Sequence, residues 1–258
     1  MNIKIYVATH KRYDLLLKIN NPIYIPIHCG KAIYIDPLGA KGYLPILGDN
    51  TGDNISNRNL NYCELTAIYW AWKNDNSKPD DIIGFNHYRR YFSEPTDDMT
   101  LLGQKSIEEM LSNYDFIVNG CGTEGNTPTN PKDSAYEGYK SAHCIKDLDN
   151  ALEGTKILFP DLYNTINFEI KNNGAMCLCN MFITRKKYLD EYCEYLFSVL
   201  NYVDSKIDWK DGVHEGYGGR VFGFLGERLL RPWLIATNHS GTWCSSLNWE
   251  AFSGYKWE

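Results

Sequence analysis

The chain has no Gly-x-Gly-x-x-Gly after its first apolar run and no Walker sequence anywhere. That argues against a dinucleotide enzyme and a P-loop NTPase, which cradle phosphate in such loops. No Cys-x-x-Cys occurs either; the eight cysteines, at 29, 63, 121, 144, 177, 179, 193 and 244, lack the density of a disulfide framework and read as reduced thiols of a cytosolic protein. No apolar stretch approaches the ~20 residues that span a bilayer. Because the chain opens directly on a strand-like run, Ile3–Ala8, no signal peptide is expected. Positive charge is not in excess: the formal net charge is −6, which argues against a nucleic-acid partner. A Pro-rich, Ser-rich or low-complexity linker is missing too, so one domain over residues 1–258 is expected.

What is present begins with 43% apolar residues, enough for a core, and an aromatic content of 14% that includes 19 tyrosines and seven tryptophans. Amphipathic rings serve equally as core filling and as platforms for sugars or bases. The most informative stretch is Asp80–Phe92, where Ile82, Ile83 and Phe85 read as a buried strand running straight into His87-Tyr-Arg-Arg90. Residues just past the carboxyl edge of an open α/β sheet line its binding crevice. Two arginines there suit an anion, since a guanidinium is a planar fork of donors that matches phosphate oxygens. The competing reading is a solvated strand end whose arginines pair with Glu94, Asp97 or Asp98.

Ile3–Ala8 alternates into a first strand that ends in Thr9, His10 and Lys11, the usual seat of a base and ribose in doubly wound folds. Pro22 to Gly48, broken by four prolines, reads as irregular structure with an edge hairpin. Gly48–Asn61 is a shaped polar loop in which Asp53, Asn54, Ser56 and Asn57 precede a helix N-terminus, a place that favours an anion or a sugar hydroxyl; an ordered surface loop is the alternative. The helix over Tyr62–Asn74 carries Asn61 and Glu64 at capping-box spacing, so Glu64 reads as a cap. Asn119–Ser134 is long and turn-rich, as a lid would be.

If Tyr136–Asp149 is helical, His143 and Asp147 share a face, as a surface contact or as catalytic machinery. Ala175–Thr184 reads as a second buried strand with one conspicuous polar residue, Asn180, whose amide needs partners from substrate or backbone. Lys186–Leu200 reads as a packing helix. A last helix, Arg220–Leu230, puts Arg220, Glu227 and Arg231 nearly in line, with Glu227 and Arg231 at i,i+4 spacing. Gly223 and Gly226 inside it each cost about 1 kcal/mol relative to Ala, which predicts that something approaches that backbone closely.

Taken together, Tyr6-Val-Ala-Thr-His-Lys11, Asp49-Asn-Thr-Gly-Asp-Asn-Ile-Ser56, Asn61–Lys73, His87-Tyr-Arg-Arg-Tyr-Phe92, Asn180-Met-Phe-Ile183 and Arg220–Leu229 resemble a bacterial glycosyltransferase family of polysaccharide biosynthesis. It was long catalogued only as a domain of unknown function, is found in clusters for capsule, exopolysaccharide and O-antigen, and includes galactofuranosyltransferases. The resemblance implies an α/β, GT-A-like fold: a Rossmann-like nucleotide-binding mixed sheet flanked by helices, which moves a sugar, galactofuranose first, from a UDP-sugar to a glycan or lipid-linked glycan.

It implies that Thr9, His10 and Lys11 meet uridine, that Asp53, Asn54 and Ser56 border the donor, and that Arg89 and Arg90 hold the diphosphate. Asn180, His143 and Arg220 are the acceptor-side candidates. Where most GT-A enzymes carry a metal-binding Asp-x-Asp, this chain has His87-Tyr88-Arg89, so protein cations stand in for the ion; Mn2+ or Mg2+ with His87 as ligand is the alternative. Inverting transfer needs one general base, for which Glu227 is the first candidate, followed by Asp147, Asp149 and His87. A pyranosyl transferase and a non-catalytic glycan-binding module are the other readings. The expected setting is the cytoplasm, with peripheral contact at the inner membrane.

Overall fold

The computed structural model describes residues 1–10, 21–33, 46–120 and 131–248. Its frame is one mixed sheet in the order β3-β2-β1-β4-β8-β7-β9. The parallel half consists of β1 (Ile3–Thr9), β2 (Tyr24–His28), β3 (Leu47–Gly48) and β4 (Ile82–His87). Among the described residues β2 and β3 both run parallel to β1 and form no hairpin with each other; residues 34–45 of the Pro-broken segment lie outside the described residues. β8 (Cys177–Arg185) runs antiparallel to β4, and β7 (Phe116–Gly120) antiparallel to β8. A short ribbon, β5 (Arg90–Glu94), β6 (Asp97–Leu101) and β10 (Ser246–Asn248), extends from the end of β4, while β9 (Gly241–Trp243) flanks β7.

The central strands are covered on both faces, as their near-continuous apolar runs require. Tyr6, Ala8, Ile83, Phe85 and Phe182 face one core; Ile3, Ile5, Val7, Ile82 and Ile183 face the other. The first core is built by α2 (Leu65–Asn74), α5 (Ile145–Leu158), α6 (Pro160–Asn172), α7 (Lys186–Asp204) and α8 (Val221–Ala236). The second is closed by α3 (Gln104–Asn113) through Ile107 and Leu111, and by Tyr91 and Phe92 of the ribbon. Among the described residues no helix is long and apolar enough to cross a membrane.

Two helices differ from expectation. The one over Tyr62–Asn74 begins instead at Leu65 as α2, with a separate turn, α1 (Asn59–Tyr62), ahead of it, because Cys63 between them has φ +52° and ψ −132°, a sparsely populated geometry that costs about 1–3 kcal/mol. The second divides into α4 (Ala135–Ala142) and α5, with His143 and Cys144 extended between them. His143 and Asp147 therefore do not share a helical face. α6 starts at Pro160, which fits the first helical turn because its missing N–H is an orphan there anyway.

Candidate active site

The carboxyl ends of β1 and β4 open on a cavity of about 510 Å³. Thr9 ends β1 and His10 follows it, Cys29 follows β2, and His87 ends β4 with Tyr88 and Arg89 just beyond it. The opposite wall comes from Asn59, Asn61, Cys63 and Glu64 at the α1–α2 break and from His214, Gly219 and Arg220 ahead of α8. Lys11 and residues 121–130, the larger part of the expected lid, lie outside the described residues.

The rim is cationic. His10 packs edge-on against Tyr88 with ring centroids 5.1 Å apart, Arg89 lies 5.2 Å from the same ring, and the His87 ring lies tilted against it at 4.6 Å. Burial drives the His87 imidazole down to about 3, and the charges of His10, Arg89, Arg90 and Arg220 add to that fall. His87 is thus neutral near pH 7, and the guanidiniums supply the positive charge. Two of the three acids that could have paired with them are engaged elsewhere: Glu94 accepts from the Gly103 N–H at 2.7 Å and the Ser106 hydroxyl at 2.6 Å, and Asp97 from the Met99 N–H and Thr100. Arg90 opens β5 and does not line the cavity, although its charge reaches His87 and Cys179.

Opposite the arginines stands Glu64, which the capping-box spacing assigned to the helix terminus. Its side chain makes no capping bond, and Asn61 instead donates to the Gly219 carbonyl at 2.8 Å. The left-handed turn at Cys63 swings the Glu64 carboxylate into the cavity, where Asn180 Nδ2 donates to it at 2.7 Å. Burial pushes this carboxyl above the usual range; the Asn180 amide pulls it partly back, and the charge of Glu227 adds to the rise. The Cys63 and Cys179 thiols are each pushed up to about 11 by burial, so neither is a thiolate nucleophile at neutral pH.

Because β8 is antiparallel, its first residues reach the edge where β4 ends. Cys179 and Asn180 are both left-handed there, at φ +61° and +50°, and Glu227 Oε1 accepts from the Cys179 N–H at 2.7 Å. Asn180 is buried, its amide shared between Glu64 and the Gly223 carbonyl at 3.0 Å. The glycines of α8 are thereby explained: a Cβ on Gly226 would collide with Asn180 Oδ1, and one on Gly223 would stand 3.2 Å from Cys63 Sγ. The Asn180 amide thus finds its partners within the protein, one of the two ways expected for it, and Asn180 does not line the cavity.

Several other expectations change. Glu227 is not in line with Arg231 as a pair; it bonds Arg228 at 2.9 Å and the β8 backbone and does not line the cavity, while Arg231 bonds Glu169 at 2.7 Å. Asp53 meets Tyr69 at 3.2 Å, Asn54 bonds Gly52 and Ser56, and buried Ser56 bonds Asp49 and the Ala32 N–H. These three shape the loop and do not border the cavity. Asp149 is exposed and accepts from Tyr136 at 2.9 Å.

His143 stacks on Phe224 with centroids 4.0 Å apart, and Asp147 is buried against His214 at 3.1 Å; both line a separate, smaller cavity. Arg220 does line the main cavity, its Nε 3.2 Å from Cys63 Sγ. A divalent ion does not suit the Asp-x-Asp position: among the described residues Glu64 is the one carboxylate on a wall otherwise carrying arginines and imidazoles, whereas Mg2+ and Mn2+ sites are built from several oxygens.

No curated protein matches the chain. A solved structure titled as the apo form of the WbbM bifunctional glycosyltransferase matches with a TM-score of 0.75 and 26% identity over 96% of this chain. The chain spans 45% of the length of that protein. A family model described as a domain of unknown function (DUF4422) matches residues 4–239, and the chain belongs to that family.

Proposed function

We propose that the chain is a glycosyltransferase whose cavity takes a UDP-sugar, with Arg89 and Arg220 on the diphosphate and Glu64 as the general base. The observation that carries the reading is one carboxylate, raised by burial and oriented by an amide, facing guanidiniums across a cavity at the carboxyl edge of β1 and β4. The likeness to a glycosyltransferase supports the reaction class.

In an inverting displacement the acceptor hydroxyl gives its proton to Glu64 while its oxygen bonds the anomeric carbon. The bond from that carbon to the diphosphate breaks, and both electrons leave with UDP. A base of raised pKa is stronger toward the acceptor proton, and general-base catalysis contributes about 10²–10⁴ in rate. Fixed guanidiniums stabilise charge growing on the leaving diphosphate without a metal. Thr9 and His10 stand where the base and ribose enter in folds of this kind. Glu227, by gripping the backbone beside Asn180, acts as a positioning residue for Glu64.

Galactofuranose is our choice of donor sugar, resting on the family resemblance, with a glycan or lipid-linked glycan at the cytoplasmic face as acceptor. Thermal-shift titration with UDP followed by incubation with a panel of UDP-sugars tests both levels. Stabilisation by UDP is expected. No stabilisation by any nucleotide would end the transferase reading and favour a glycan-binding module; turnover of a pyranose donor alone would end the furanose choice.

A further inference from the structure

A second constellation lies at the start of α5, outside the proposed transferase machinery. Cys144 is the residue before that helix and Asp147 sits in its first turn, three positions on and therefore on the same face. His214, from the segment between α7 and α8, meets them: its Nε2 is 3.1 and 3.2 Å from the two Asp147 oxygens. One donor atom from each of the three residues, sulfur, oxygen and nitrogen, lies within 4.8 Å of the others. The other ring nitrogen, Nδ1, is held by the Asp211 carboxylate at 3.1 Å.

We propose that Cys144, Asp147 and His214 bind one Zn2+ ion. On a tetrahedron with bonds of about 2.0–2.3 Å, donor atoms stand roughly 3.3–3.5 Å apart, so the nitrogen and oxygen are already at the required spacing. Closing the sulfur takes roughly 1 Å more, within the range of a side-chain rotation. A mixed sulfur, nitrogen and oxygen set selects zinc over magnesium or calcium, which take oxygen alone.

Charge agrees. A thiolate and the buried Asp147 carboxylate neutralise Zn2+, leaving His214 neutral and donating from Nδ1 to Asp211, the carboxylate–histidine–metal arrangement that fixes a ligand's tautomer. An imidazole bridging two carboxylates would account for Asp147 and Asp211 but gives the thiol no part. Cys144 and Asp147 also face a cavity of about 250 Å³, room for a water or exchangeable ligand in the fourth position.

The site has a structural consequence. His214 is also on the wall of the main cavity, and the segment carrying it has left-handed glycines at 212 and 216. Zinc would fasten that segment to α5 and so hold the wall that includes Arg220.

The test uses the full chain, stripped with a chelator and reloaded with zinc sulfate. Metal is counted by mass spectrometry, affinity is measured by competition with a chromophoric chelator, and cobalt substitution reports the ligand set. One ion per chain and a sulfur-to-cobalt charge-transfer band are expected. Cys144→Ser should remove the band and weaken zinc by more than about 100-fold, while Asp211→Asn should weaken it by roughly 10–100-fold, the usual cost of losing a ligand's orienting partner. Cys63→Ser should keep both band and stoichiometry. Failure of the wild type to hold zinc, or unchanged affinity in Cys144→Ser, would overturn the proposal; circular dichroism of each variant separates loss of ligand from loss of fold.

Discussion

The two cavities are neighbours with opposite electrostatic character. The larger one joins Arg89 and Arg220 to a single carboxylate and suits an anion; the smaller one joins a carboxylate, a thiol and an imidazole and suits a cation. His214 is where they meet, on one wall of the first and in the donor set of the second. A charge is costly to bury without a partner of the other sign, so the cationic wall of the first cavity calls for an anion and the buried Asp147 of the second for a cation or the His214 imidazole.

The sharpest way to break this comparison is Glu64→Gln, which should lower the transfer rate by about 10²–10⁴ while UDP binding, read by calorimetry, stays intact. Near-normal turnover would show that the lone carboxylate is not the base. Next in size, Arg89→Ala and Arg220→Ala should each weaken UDP by about 10–100-fold, the worth of a charged hydrogen bond of roughly 1.5–3 kcal/mol; unchanged affinity would take that guanidinium off the diphosphate.

Removing metal from the smaller cavity should be milder: the donor KM rises by less than about tenfold, ~1.4 kcal/mol, with kcat retained. A collapse of kcat on chelation would mean that the pockets are chemically one. The smallest effect is on pH dependence. As a base Glu64 must be ionised, so activity falls as pH drops through its raised pKa. The Asn180 amide lowers that pKa, so Asn180→Ala should raise it and move the acid limb to higher pH. A limb that stays in place would separate Asn180 from the base.

The frame of the fold was legible where burial writes itself into sequence. β1, β4 and β8 are central and covered on both faces; β1 shows as an alternating run and β4 and β8 as largely apolar ones, while α7 was legible as a packing helix. The edge elements were not legible, since β9 and β10 are three residues each and exist only by pairing with distant strands. α6 escaped although Leu162, Tyr163, Ile166 and Ile170 recur at helical spacing and pack on the core, because the polar residues between them read as loop.

The site divides in the same way. His87 and Arg89 follow directly from the position of β4, as the crevice rule predicts. Glu64 was hidden by its spacing from Asn61, a genuine capping signature, because nothing in local sequence announces the left-handed turn at Cys63 that redirects it. Glu227 looked catalytic because it is an acid on the last helix, whereas its partner, the Cys179 N–H, is 48 positions away. The pairing of His214 with Asp147 spans 67 positions and leaves no periodic trace.

The consecutive left-handed residues at the start of β8 imply a spring under load. Cys179 stores about 1–2 kcal/mol there, whereas Asn tolerates the left-handed region, and the carboxylate of Glu227 is the catch that keeps the spring wound. Releasing the catch should let the strand recoil toward ordinary extended geometry, so that Glu227→Ala melts at no lower temperature than the loss of its bonds to the Cys179 N–H and to Arg228 would suggest, yet aims the Asn180 amide away from Glu64.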